Sequence, residues 1–99
     1  MREPPPAWRL EDFLERFEAW VELEDPSTDL RLLVLPWIWT RAETPHDGVD
    51  EVAGIEDLWF GAVPNTEDNL GHVVTCAYWI EASRRVVRCD SFATLDLPL

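Results

Sequence analysis

The sequence contains no lysine, and its eight basic residues are all arginine. Its four glycines are scattered, so it has no glycine-rich loop of the kind that holds phosphate groups. Two cysteines are too few for the disulfide framework of a small secreted protein. No apolar stretch approaches the roughly 20 residues of a membrane-spanning helix, and the proline-rich N-terminus lacks the apolar region of a signal peptide. We therefore expect a cytoplasmic protein that does not enter a membrane.

A chain of 99 residues is long enough to bury one hydrophobic core without a metal ion or disulfides. Residues 1–99 are therefore predicted to form a single domain. Residues 1–8 are proline-rich and are predicted to be an N-terminal arm. Residues 44–57, which combine proline, glycine and five acids, are predicted to be an acidic loop.

The net charge of −12 is large for this length, and it is unevenly distributed. Residues 1–29 and residues 30–71 each carry a net charge of −6, whereas residues 72–99 are neutral. Such a field repels nucleic-acid phosphates and attracts basic surfaces. We therefore expect a basic protein partner and no binding to nucleic acid.

Apolar residues recur at helical spacing from Arg9 to Glu24, and Pro26 ends the pattern. This segment is predicted to be a helix with one apolar face. The opposite face is acidic and would steer a basic partner towards the protein. Its residues are Glu11, Asp12, Glu15, Glu18 and Glu22.

Residues 27–43 are compatible with more than one structure. Ser27 or Thr28 could cap a second helix. Pro36 opposes a continuous helix, since a proline inside a helix costs about 3 kcal/mol. One alternative is a strand from Arg31 to Leu35 that continues through Trp37-Ile38-Trp39. Another is a break that leaves Pro36 as the first residue of a short helix. We favour helical character with a break or kink near Pro36.

The second half of the chain has the alternating pattern of β-strands. Leu58 to Val63 is predicted to be a strand, and the segment from His72 to Phe92 a hairpin. The predicted fold class is α+β. In this fold, an N-terminal helix and a second helix pack on a three-stranded antiparallel β-meander.

The hairpin register follows from its cysteines. If the turn lies at Ala82-Ser83, Cys76 faces Cys89 on the core side of the sheet. Two buried thiols are favoured over a cross-strand disulfide. His72 could join them in a zinc site, but the spacing matches no close-set ligand motif, so no metal or other cofactor is predicted. A buried thiol is also a poor nucleophile, and no catalytic residue is assigned.

The same register places several aromatic and basic residues on the other side of the hairpin. Tryptophan and arginine are enriched among the residues that dominate protein contacts. The predicted contact surface comprises Trp59, Trp79, Arg84, Arg85, Arg88 and Phe92. A further element that covers this face is the open alternative.

Two helices followed by a meander that ends in an arginine-bearing hairpin resemble the RelE/ParE toxin superfamily over residues 27–92. The residues that carry the resemblance are Leu30-Arg31, Val34-Leu35 and Trp37-Ile38 in the second helix, Trp59 and Val63 in the next strand, and Val73-Val74, Tyr78-Trp79-Ile80 and Arg84-Arg85-Val86-Val87 in the hairpin. The family opens with a β-strand and its members tend to be basic, whereas this chain begins with prolines and is acidic. The resemblance implies that Arg84, Arg85 and Arg88 contact RNA or another target.

Two functional hypotheses follow. The first is a small acidic, non-enzymatic protein-binding domain of inhibitor, immunity or antitoxin-like type that recognises a basic partner. The second is a RelE/ParE-like toxin that acts on RNA or a protein target through the hairpin arginines. RNA cleavage that is lost on Arg88→Ala would favour the second over the first. A domain whose charge serves solubility alone is a third possibility.

Overall fold

The computed structural model describes residues 7–98. Its elements are β1 (Arg9–Glu11), α1 (Phe13–Glu24), α2 (Thr28–Thr40), β2 (Asp50–Glu51), β3 (Leu58–Ala62), β4 (His72–Glu81) and β5 (Val86–Asp96). The α+β class is confirmed, with two helices on one face of a five-stranded sheet. Most of the predicted N-terminal arm lies outside the described residues. Neither helix in residues 7–98 has the length and apolar character needed to cross a membrane.

Helix α1 forms because three large apolar residues recur at helical spacing. Phe13, Phe17 and Trp20 lie on one face of the helix and are buried. The helix ends at Asp25, whose left-handed backbone (φ 46°) turns the chain away. The predicted helix is therefore confirmed, except that its first predicted residues, Arg9–Glu11, form strand β1.

Helix α2 continues through Pro36 without a break. The Ser27 hydroxyl oxygen caps it by accepting a hydrogen bond from the Leu30 N–H at 3.2 Å. Val34 and Ile38, on either side of the proline, are completely buried. The free energy gained by burying these two side chains offsets the cost of the hydrogen bond that the proline removes. Helical character is confirmed in this segment, and the strand alternative is wrong. The helix has no break at Pro36, and a kink there stays a prediction.

The sheet is mixed and has the strand order β1-β5-β4-β3-β2. Strands β3, β4 and β5 pair antiparallel, β2 adds antiparallel to β3, and β1 pairs parallel with residues 86–88 of β5. The predicted three-stranded antiparallel meander is therefore not confirmed, because two short strands extend the sheet at both edges. Strands of two and three residues are too short to show alternation in the sequence. Strand β2 lies within the predicted acidic loop.

The register of the β4–β5 hairpin differs from the predicted one. Tyr78, and not Cys76, lies opposite Cys89. A β-bulge then inserts Asp90 into β5, so that Cys76 faces Phe92. Cys76 and Cys89 are nevertheless both buried free thiols, with their sulfur atoms 3.9 Å apart. The bulge reverses side-chain alternation on β5 and turns Phe92 towards the core.

The hydrophobic core lies between the helices and one face of the sheet. On β4 this core face carries Val74, Cys76, Tyr78 and Ile80. Side-chain alternation places the intervening residues of β4 on the opposite side, which we call the outer face. It carries Val73, Thr75, Ala77, Trp79 and Glu81 on β4. Cross-strand pairing adds Leu58 and Phe60 of β3, Arg88 of β5, and Arg9 and Glu11 of β1.

Candidate functional site: the hairpin end of the outer face

A four-residue turn, Ala82–Arg85, joins β4 to β5 and places arginines at one end of the sheet. The Glu81 carbonyl accepts a hydrogen bond from the Arg84 N–H, and the Ala82 carbonyl accepts one from the Arg85 N–H, each at 3.2 Å. Arg85 has a left-handed backbone (φ 51°), which non-glycine residues adopt mainly in tight turns. The turn therefore fixes the backbone positions from which its two arginine side chains extend.

Two glutamates bridge the arginines of this end. Glu81 Oε2 lies 3.1 Å from Arg84 Nη1 and 3.7 Å from Arg88 Nε. Glu11 Oε2 lies 3.1 Å from Arg9 Nη2 and 3.5 Å from Arg84 Nη2. We call these five residues the hairpin charge cluster. Its three arginines and two glutamates give a net charge of +1, within a chain whose net charge is −12.

Two of the hairpin arginines also contact tryptophan rings. The Arg88 guanidinium carbon lies 5.6 Å from the ring centroid of Trp79, the residue directly opposite it on β4. The Arg85 guanidinium carbon lies 4.7 Å from the ring centroid of Trp8. Such contacts contribute about 0.5–1 kcal/mol at exposed sites. They hold two long side chains close to defined positions at the hairpin end.

Two residues of the predicted contact surface lie on the core face instead. Trp59 faces Tyr78 and packs edge-on against the His46 ring at 5.0 Å. Phe92 is 7% exposed and packs against three aromatic rings of α1. The outward prediction is wrong for Trp59 because its neighbours Leu58 and Phe60 occupy the outer face. It is wrong for Phe92 because the bulge reverses the alternation.

The predicted acidic residues divide between two places. Glu15, Glu18 and Glu22 are exposed on α1, on the side of the sheet opposite the outer face. Asp12 is half-buried directly before the helix, with a left-handed backbone (φ 65°). Glu11 does not belong to the helix, and it joins the hairpin charge cluster through strand β1. The structure therefore separates the acidic surface of α1 from the hairpin arginines.

The residues that the sequence offered for metal or thiol chemistry do not form a reactive site. Burial raises the pKa of the Cys76 thiol well above its ordinary value and keeps the thiol protonated. The ring nitrogens of His72 lie 2.9 Å from Asp68 and 3.2 Å from Asp96. Hydrogen bonding to Asp68 raises the pKa of His72. Residues 7–98 contain no group of three histidine, cysteine or acidic side chains arranged to hold a metal ion.

Arg41 is a buried polar residue whose role is not evident from its neighbours in the sequence. It is 4% exposed, and its Nη1 donates to the Asp47 carbonyl at 2.7 Å and to the Tyr78 hydroxyl at 3.1 Å. The Tyr78 hydroxyl in turn donates to the Pro45 carbonyl. These hydrogen bonds connect the C-terminal end of α2 and the following loop to strand β4. The sequence shows only that an arginine follows an apolar helix, and this does not indicate that Asp47 and Tyr78 are its hydrogen-bond partners.

The two helices, the mixed sheet and the arginine-bearing hairpin together define a small α+β fold. The chain is similar in structure to the E. coli toxin RelE, solved in the free state as a variant with two arginines replaced by alanine. The TM-score is 0.61 at 15% sequence identity, over 88% of this chain and 82% of that one. No protein-family model and no curated protein matches the sequence. The RelE-like resemblance is confirmed at the level of fold, and β1 supplies an opening strand.

Proposed function

We propose that this chain is a RelE-fold, toxin-like protein that binds a target protein through the hairpin end of its outer face. One observation carries the proposal. Arg88 lies beside Trp79 on the outer face, with its guanidinium close to the Glu81 carboxylate. The similarity to RelE supports the toxin-like character through the fold alone.

Trp79 and Arg88 have the chemistry of a protein contact. Tryptophan and arginine are over-represented among the residues whose truncation costs most binding energy. Both side chains are half-buried and touch each other, so part of their conformational entropy is already lost before a partner binds. Leu58, opposite Trp79 on β3, extends the apolar part of this surface.

A protein suits this surface better than RNA does. Glu11 and Glu81 already contact Arg84, and Glu81 also lies near Arg88. A phosphate group would have to displace these carboxylates and approach a chain of net charge −12. A protein surface that carries both signs of charge could pair with the arginines and the glutamates together.

RNA cleavage is the second candidate function. The similarity to the RelE toxin is the observation that favours it, since the superfamily resemblance implies RNA as one possible target. Arg84, Arg85 and Arg88 would then contact the RNA. The two candidates differ in one measurable respect, because only the second requires RNA to be cut by the purified protein.

Induced expression in bacterial cells tests the proposal. The wild-type chain should arrest growth, and Trp79→Ala and Arg88→Ala should each relieve the arrest. Trp39→Ala and Arg31→Ala are matched controls, because they remove an exposed tryptophan and a half-buried arginine from helix α2 and should leave the arrest unchanged.

The purified protein should leave RNA intact. Cleavage of RNA that is lost in Arg88→Ala would contradict the protein-target proposal and support the second candidate. A wild-type chain that does not arrest growth would contradict the proposal. Arrest that persists in both Trp79→Ala and Arg88→Ala would also contradict it.

A further inference from the structure

Strand β5 has an edge that remains unpaired over most of its length. The strand runs over Val86–Asp96, and β1 pairs only with residues 86–88. Beyond the bulge, residues 91–96 pair with β4 on one side. On the other side, no strand within the described part of the chain continues the sheet. An unpaired edge presents backbone N–H and C=O groups that can accept another strand.

The side chain of Glu24 forms a hydrogen bond with the backbone of this edge. Its Oε2 accepts a hydrogen bond from the Thr94 N–H at 3.2 Å. Thr94 faces Val74, whose own backbone groups bond away from β5, to Val63 and Thr66. The Thr94 N–H therefore points away from β4, and a side-chain carboxylate takes the place of a strand carbonyl.

An apolar groove lies between helix α1 and this edge. It has a volume of about 130 Å³ and is lined by Ala19, Trp20, Leu23 and Phe92, with Arg16, Asp90 and Ser91 at its rim. Leu23 is 84% exposed although it borders the groove. Trp20 is 2% exposed, and its indole N–H finds no acceptor among residues 7–98. The groove therefore offers apolar surface, chiefly at Leu23, to an occupant.

The charges around the groove indicate which kind of segment would bind there. Asp90, Asp96 and Glu24 flank the edge, and Arg16 is the cation at its rim. A second copy of this chain would bring another acidic edge against this one, and like charges opposed across strands are destabilising. A segment that carries arginine or lysine would instead be attracted.

We propose that the groove between α1 and the β5 edge binds an extended, cationic segment of a partner protein, which adds to β5 as a further strand beside residues 91–96. Backbone hydrogen bonds to the Thr94 region would hold the segment in register. Its apolar side chains would cover Leu23 and Phe92, and its basic side chains would face Asp90 and Asp96. This surface is distinct from the hairpin charge cluster, so either proposal can fail while the other holds.

A synthetic eight-residue peptide with arginines at both ends and valines at its centre is a suitable probe, because Asp90 and Asp96 lie at the two ends of the edge and Phe92 lies between them. Titrated into the full chain, it should shift the amide NMR signals of residues 91–96 and protect the Phe92, Thr94 and Asp96 amides from hydrogen exchange. The same peptide with every backbone nitrogen methylated keeps its charges but cannot donate hydrogen bonds. It should bind about tenfold more weakly or worse, because at least two backbone hydrogen bonds are lost.

A pair of substitutions at one position tests the edge itself. Thr94→Pro removes the outward N–H while leaving the inward ladder to β4 intact, as an edge strand tolerates. Thr94→Val is the matched control, because it keeps the N–H. Thr94→Pro should weaken peptide binding about tenfold, whereas Thr94→Val should not. The comparison between the two peptides uses the unmodified protein, so it decides the question even if Thr94→Pro does not fold.

Three outcomes would overturn the proposal. The first is that the peptide fails to bind. The second is equal binding of the methylated peptide, which would show attraction by charge alone. The third is a dimer of the chain in sedimentation that Thr94→Pro dissociates and Thr94→Val does not, which would identify a second copy as the occupant.

Discussion

Replacement of Phe92 by alanine should remove a large part of the protein's stability. The side chain is 7% exposed, and its ring centroid lies 6.3–6.4 Å from those of Phe13, Phe17 and Trp20. Truncating a buried phenylalanine costs about 3–5 kcal/mol, whereas most exposed substitutions stay within about 0.5 kcal/mol. The total free energy of unfolding of a small domain is about 5–15 kcal/mol. The loss in Phe92→Ala should therefore be severe.

Urea unfolding followed by tryptophan fluorescence measures this loss. Leu95→Ala is the control, because Leu95 lies on the same strand but is 39% exposed. Phe92→Ala should lower the urea midpoint strongly without changing the slope, and Leu95→Ala should lower it far less. Equal losses in the two variants would show that Phe92 faces outward. The bulge at Asp90 and the register derived from it would then be wrong.

Three further predictions concern the core and the far end of β4. Tyr78→Phe should lower the free energy of unfolding by about 1–3 kcal/mol, because it leaves a buried loop carbonyl and an Arg41 N–H unpaired; an unchanged urea midpoint would contradict these bonds. The pairing of His72 with Asp68 raises the pKa of His72, so the stability it contributes is lost as the pH rises through that raised pKa. The pairing lowers the pKa of Asp68, so the same stability is also lost as the pH falls through that lowered pKa. His72→Gln should therefore reduce the melting temperature more at about pH 5.5 than at about pH 8.5, and the opposite order would refute the pairing. Cys76 should react with a thiol reagent only when the protein opens, so an equal rate in the native and urea-unfolded states would contradict its burial.

The sequence predicts the elements that depend on local spacing. Phe13, Phe17 and Trp20 recur at helical intervals, and this pattern locates α1 and its buried face. Alternation from His72 to Glu81 locates β4 and assigns its two faces correctly. These features are predictable because each follows from residues that are neighbours in the chain.

The remaining features depend on contacts between distant residues or on a single irregularity. Asp90 resembles any exposed strand residue, so the bulge it creates has no sequence signal, and Phe92 is assigned to the wrong face in consequence. Glu11 meets Arg84, 73 residues further along the chain, only because β1 pairs with β5. Pro36 is tolerated within α2 because burial of its neighbours outweighs the local cost. Local propensity does not contain this information.

Site-specific photo-crosslinking in cells tests most directly whether the hairpin end of the outer face binds a protein target. A photoreactive residue at Ser83, an exposed position in the turn, should capture a discrete protein, and Trp79→Ala and Arg88→Ala should each abolish the capture. The same residue at Leu32, which is exposed on α2, should not capture that protein. Capture of RNA at Ser83, or of the same proteins from both positions, would contradict the account.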